Sequence, residues 1–166
     1  MPQLICNQND IPKNVLRYGI RSSAGAGCGW IATYNAMALM GYRVEPKQLI
    51  RYFERQVPLI NGSAGTAFFS PALCFRQWGF PTEVTVKREK MDDLARRADA
   101  CILYYRWRDG LRTGAHFAAF HREEKGFVGY NTFRTSKGPD FYGESVEEFL
   151  RKHGYFAVML TAIHRT

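Results

Sequence analysis

After an irregular start, apolar residues take helical spacing through the first half of the chain and then alternate with polar ones further on. Trp30 to Met40 is apolar nearly all round and Gly41 follows it, a pattern that predicts a helix buried on most sides. Glu45 to Gln56 carries Leu49, Ile50 and Phe53 at helical spacing, with Pro46 suited to a first turn. A third helix is predicted with Ser70 as its cap, Pro71 at its first position and Gly79 past its end. Beyond Pro81 the texture changes. Thr82 to Val86 alternates, Met91 to Ala98 reads as a short helix, and Cys101 to Trp107 is aromatic and β-prone. His116 to His121 and Phe127 to Thr132 flank the charged turn Glu123-Glu124-Lys125-Gly126, a hairpin signal. Val146 to His153 reads as a helix and Tyr155 to Ile163 as a closing strand, whereas residues 1 to 27 read as irregular. Helices first and a mainly antiparallel sheet afterwards is an α+β layout.

Composition narrows this picture. The chain has 166 residues, 46% of them hydrophobic, enough for a core without staples. With no linker, repeat or low-complexity tract, one domain over residues 1–166 is expected. No run of about 18 apolar residues occurs, so no membrane span is expected. Met1 to Asp10 lacks a basic segment followed by an apolar run, which points to a cytoplasmic protein, secretion by another route remaining open. The formal charge of +8 raises the question of nucleic acid. Its Lys and Arg residues are scattered, and Arg106, Trp107, Arg108 and Arg112, with Tyr104 and Tyr105, read as a half-buried strand and loop. A solvated basic surface is expected and a nucleic-acid partner is not. Cys6, Cys28, Cys74 and Cys101 form no C-x-x-C pair, so neither a disulfide framework, a metal site nor a cofactor is indicated. Cys74 and Cys101 lie in apolar runs and read as small buried hydrophobes.

Cys28 differs from these. It stands between the small-residue stretch Ser22 to Gly27 and the buried helix. A helix N-terminus aims unpaired N–H groups at a sulfur and favours its negative charge. Gly25, Gly27 and Gly29 permit another chain to approach the backbone. A plain core cysteine is the competing reading. A nucleophile needs a base from another element, and His116 begins an apolar strand with small Gly114 and Ala115 beside it. A third group should orient the ring, and Asn131 lies on the next strand. A two-residue turn at Glu124-Lys125 would pair Ala118 with Asn131, and one at Lys125-Gly126 would pair Phe120 with it. Either puts Asn131 on the His116 face; a three-residue turn without a bulge would not. His121, His153 and His164 read as surface or terminal residues.

Four segments then carry a family likeness, in order: Cys28-Gly29 opening an Ala- and Met-rich helix that ends at Gly41-Tyr42; Gly62-Ser63-Ala64-Gly65-Thr66 with the helix Pro71-Ala72-Leu73 to Trp78-Gly79-Phe80; Gly114 to Phe120; and Gly126 to Thr132. Together they resemble the papain-like cysteine peptidase superfamily, most of all the bacterial C39 branch of bacteriocin-processing peptidases. The resemblance implies a papain-like fold, a bacterial protein, a peptide or protein substrate and a Cys28, His116, Asn131 triad cleaving a peptide or isopeptide bond, or transferring an acyl group. That family places a Gln shortly before the cysteine to complete the oxyanion hole. Here Arg21 to Gly27 holds no Gln; Ser22 occupies about its place, with Ser23 beside it. Loss of one such donor costs about 2.7–4 kcal/mol in the transition state. A catalytically impaired domain that binds peptides or proteins is therefore the alternative. Oligomeric state and side-chain preference are not written in the pattern.

Overall fold

Alternation in the second half of the chain builds a six-stranded antiparallel sheet, and the apolar first half supplies the helices that cover one side of it. The computed structural model describes residues 3–56 and 65–166. Its elements begin with β1 (Arg17–Tyr18), β2 (Arg21–Ser22), α1 (Ser23–Ala26), α2 (Cys28–Leu39), α3 (Pro46–Arg55) and α4 (Ser70–Gln77). They continue with β3 (Thr82–Thr85), α5 (Met91–Arg97), β4 (Ala100–Asp109), β5 (Arg112–Glu123), β6 (Gly126–Tyr130), β7 (Asp140–Gly143), α6 (Val146–Lys152) and β8 (Phe156–Ile163). The strand order is β3-β8-β4-β5-β6-β7, with β1 and β2 forming a separate ribbon.

Strand parity divides the core. Ile102, Phe117, Ala119 and Ile163 face α2 and α4, where they meet Ala32, Ala36, Met37 and Phe75. Leu103, Tyr105, Ala118 and Phe120 face the opposite way, onto Leu94 of α5 and Phe149 and Leu150 of α6. The other side of α2 packs Trp30 and Ile31 against Leu49, Ile50 and Phe53 of α3. With helices on one flank and a sheet on the other, α2 needs apolar residues all round, which is the pattern its sequence carries. The expected α+β class with N-terminal helices on a mainly antiparallel sheet is the architecture observed.

Details differ from the pattern. The first 27 residues hold the β1–β2 ribbon, α1 and a 3-10 turn at Gln8–Asp10. Ser70 is the first residue of α4, not its cap, because its N–H already bonds the Ala67 carbonyl (3.0 Å) and starts the turn one residue early. β7 was not legible from the pattern, being a four-residue edge strand. Gly62, Ser63 and Ala64 of the second family-like segment lie outside the described residues. Among the described residues, no helix is long and apolar enough to cross a membrane.

Candidate active site

Cys28 is the first residue of α2, with Gly27 at the cap position and no side chain capping the helix. The free N–H groups of this end therefore remain for other uses. Those of Gly29 and of Cys28 itself lie against the sulfur, joined by the N–H of Phe117 from β5. Gly29 is required here by crowding: any Cβ would collide with the Thr66 side chain, which crosses the head of the helix. Thr66 is itself held by its hydroxyl on Tyr18 (3.1 Å). Burial pushes the Cys28 thiol above its ordinary range, and the three N–H groups only partly offset this. The helix-terminus expectation of a stabilised thiolate is thus outweighed in the resting site by desolvation.

The donor from Phe117 places the sulfur beside the residue that follows His116. His116 sits opposite Tyr105 of β4, their rings 5.7 Å apart and edge to face. The turn is the two-residue one, Glu123 pairing with Gly126, and β6 ends where Tyr130 pairs with Ala119. At Asn131 the backbone turns left-handed, with φ of 59°. This rotates the side chain away from the histidine and brings the main-chain carbonyl to it: His116 Nε2 lies 2.5 Å from Asn131 O. The Asn131 amide side chain instead meets Gln8, accepting from its main-chain N–H (2.8 Å) and donating to its Oε1 (3.1 Å). Parity alone would have kept the side chain on the His116 face; the left-handed residue exchanged it for the carbonyl. A carbonyl only accepts, so Nε2 carries the proton and Nδ1 keeps its lone pair. Burial lowers the His116 pKa, against a smaller raising effect of the Asn131 carbonyl, and the Arg134 charge lowers it further.

The serines divide. Ser23 is fully buried, and its Oγ accepts from the Trp30 indole (3.1 Å), which turns it into the packing of α2. Ser22 is half-buried and precedes α1 without capping it by its side chain. The space expected beside Gly114 is taken by the Trp107 ring, which any Cβ at that position would strike. His121 contacts Glu123 (3.2 Å), His164 contacts Glu83 (3.3 Å) and His153 stacks on Tyr155. Cys74 and Cys101 are buried free thiols, the first pushed up to about 12. Among the described residues, no group of three or more His, Cys, Asp or Glu is gathered that could hold a metal ion.

Two participants went unseen in the pattern. Tyr105 donates its hydroxyl to the Thr132 carbonyl (2.8 Å), anchoring the chain just past Asn131; its register opposite His116 was the signal available. Gln8 lies 20 residues before the cysteine in a segment without periodicity, and nothing local marks it.

No family model matches this sequence, and no curated protein matches it. Solved structures do. The peptidase domain of Streptococcus ComA, a bi-functional ABC transporter involved in a quorum-sensing pathway, superposes with a TM-score of 0.56 at 12% identity, over 84% of this chain and 91% of that one. A double-glycine motif protease from an AMS/PCAT transporter, solved with a leader peptide, superposes with a TM-score of 0.55 at 16% identity, over 95% and 96%. The fold of this chain is therefore that of the C39 papain-like peptidase domains.

Proposed function

We propose that the chain is a thiol-dependent, peptidase-like hydrolase in which Cys28 is the nucleophile and His116 the proton shuttle. The observation that carries this reading is the meeting of the Cys28 sulfur with the β5 backbone beside His116, whose Nε2 is tied to Asn131 and whose Nδ1 is left unprotonated. In the first step Sγ bonds to the substrate carbonyl carbon while its proton passes to Nδ1. The oxyanion faces the Cys28 main-chain N–H, with the Ser22 hydroxyl as second donor. His116 then returns the proton to the leaving amine, and water cleaves the thioester with His116 again as base. Because burial holds the thiol up and the imidazole down, the pair rests neutral and proton transfer accompanies attack.

A peptide is the proposed substrate class, since one neighbour of the same fold is a double-glycine motif protease in complex with a leader peptide. The test is incubation of the full chain with a synthetic peptide carrying a double-glycine motif, and separately with a peptide aldehyde. Cleavage should fall about 10²-fold or more in Cys28→Ala and His116→Ala. The aldehyde should modify Cys28 well ahead of Cys6, Cys74 and Cys101. Equal modification of all accessible thiols, or undiminished cleavage by Cys28→Ala, would overturn the reading. A second reading is a binding module, favoured by the raised Cys28 thiol and by Ser22 where the family has Gln. It predicts that the peptide is bound and left intact.

A further inference from the structure

The segment from Ile5 to Gln8 touches both sides of the candidate site. Ile5 exchanges two hydrogen bonds with the Asn35 side chain of α2, at 2.9 and 2.8 Å. The Cys6 carbonyl accepts from Asn131 N–H (3.0 Å). Asn7 donates to the carbonyls of Arg134 and Ser136, at 3.0 and 2.9 Å. Within this segment Gln8 bonds both Asn131, whose carbonyl holds His116, and the turn that precedes Cys28. Its Nε2 donates to the Ala24 carbonyl (2.8 Å), four residues before Cys28, while its main-chain N–H and Oε1 grip the two ends of the Asn131 amide.

We propose that Gln8 is a positioning residue for the Cys28–His116 pair, clamping Asn131 in the left-handed conformation that aims its carbonyl at His116. The proposal rests on the peptidase reading, which makes His116 the shuttle. Asn is tolerated at positive φ because its side chain can bond locally; here that bonding is supplied by Gln8. The chain of amides runs one way. Asn131 Nδ2 donates to Gln8 Oε1, and Gln8 Nε2 donates to Ala24 O. A carboxylate at position 131 would set an oxygen against Gln8 Oε1, and turning Gln8 over would set that oxygen against the Ala24 carbonyl. Gln8 thus gives a physical reason for Asn at 131. The acceptor that fixes the His116 tautomer stays in place as long as this clamp holds.

The experiment uses the full chain with ¹⁵N-labelled histidine. Ring nitrogen shifts report the His116 tautomer, and iodoacetamide alkylation of Cys28, read by mass spectrometry across pH, reports its reactivity. Gln8→Leu should lower the Nε2–H tautomer population and slow Cys28 alkylation about tenfold, toward the rate of His116→Ala. Gln8→Glu keeps an acceptor for Asn131 Nδ2 but sets its other oxygen against the Ala24 carbonyl, so it should recover the tautomer only in part. If Gln8→Leu keeps the ring state and a rate within about twofold of the parent, Gln8 only fastens the segment and the proposal is overturned, whatever happens to the melting temperature. Should Gln8→Leu fail to fold, Asn131→Asp carries the same ring prediction with Gln8 in place. If parent Cys28 reacts no faster than in His116→Ala, the peptidase reading falls, while the ring shifts still decide the role of Gln8.

Discussion

At the scale of single residues, the location of one proton decides what the site can do. His116 donates Nε2–H to a main-chain carbonyl, and a carbonyl cannot ionise. Compared with a carboxylate partner, it fixes the tautomer without lending negative charge to stabilise the imidazolium. Burial accordingly lowers the ring pKa from its usual 6.5. In the proposed mechanism His116 is therefore competent as a base at neutral pH, and that competence is lost only as pH falls through a value below 6.5. The Cys28 thiol moves the other way, above the usual 9.0, so it stays protonated through the working range. A rate of Cys28 acylation flat from neutral pH to about 9 is expected, with an acid limb under 6.5. In His116→Ala the rate should instead climb only where the thiol itself ionises. An acid limb well above 6.5 in the parent would contradict the desolvated, carbonyl-bonded imidazole.

At the scale of elements, the head of α2 is a crowded junction. Thr66 presses on Gly29, Trp30 reaches Ser23, and Phe117 N–H reaches the Cys28 sulfur. A single methyl at Gly29 meets the Thr66 side chain, so helix and crossing segment must separate. Overpacking of this kind costs about 1–3 kcal/mol. Gly29→Ala should lower the unfolding free energy read from a urea titration by that amount and also slow Cys28 alkylation, because the helix end is what sets the sulfur among its three N–H donors. A stability loss without any change in Cys28 reactivity would mean that the segment at Thr66 yields and the helix does not.

At the scale of the whole molecule, the candidate site lies between a helical side that carries Cys28 and a sheet side that carries His116. The N-terminal segment ties the two together. Its hold on α2 is the fully buried Asn35 amide, which satisfies both Ile5 groups. Asn35→Leu would leave those part-buried groups without that partner, at a cost of about 1–3 kcal/mol at most. The effect should be local. Amide exchange at Ile5, Gln8 and Asn131 should quicken, while Leu103 and Ala118 in the middle of the sheet keep their protection. Uniform quickening across the sheet would show that the segment is part of the global folding unit.

Periodicity and near neighbours were enough to specify some of these features. The all-round apolar run from Trp30 to Met40 had to become a helix enclosed on most sides, and this put Cys28 at its head. Alternation and a charged turn had to become the β5–β6 hairpin, with His116 and the neighbour of Tyr130 at one end. Tertiary structure decided the rest. The Trp107 ring over Gly114, the inward turn of Ser23, and the exchange of the Asn131 side chain for its carbonyl all depend on groups distant in sequence. Gln8 acts on Asn131 across a separation of 123 residues. Periodicity reports which face of an element is buried; it carries no information about which polar group of another element will meet that face, because hydrogen-bond partners are chosen by the closed geometry of the folded chain.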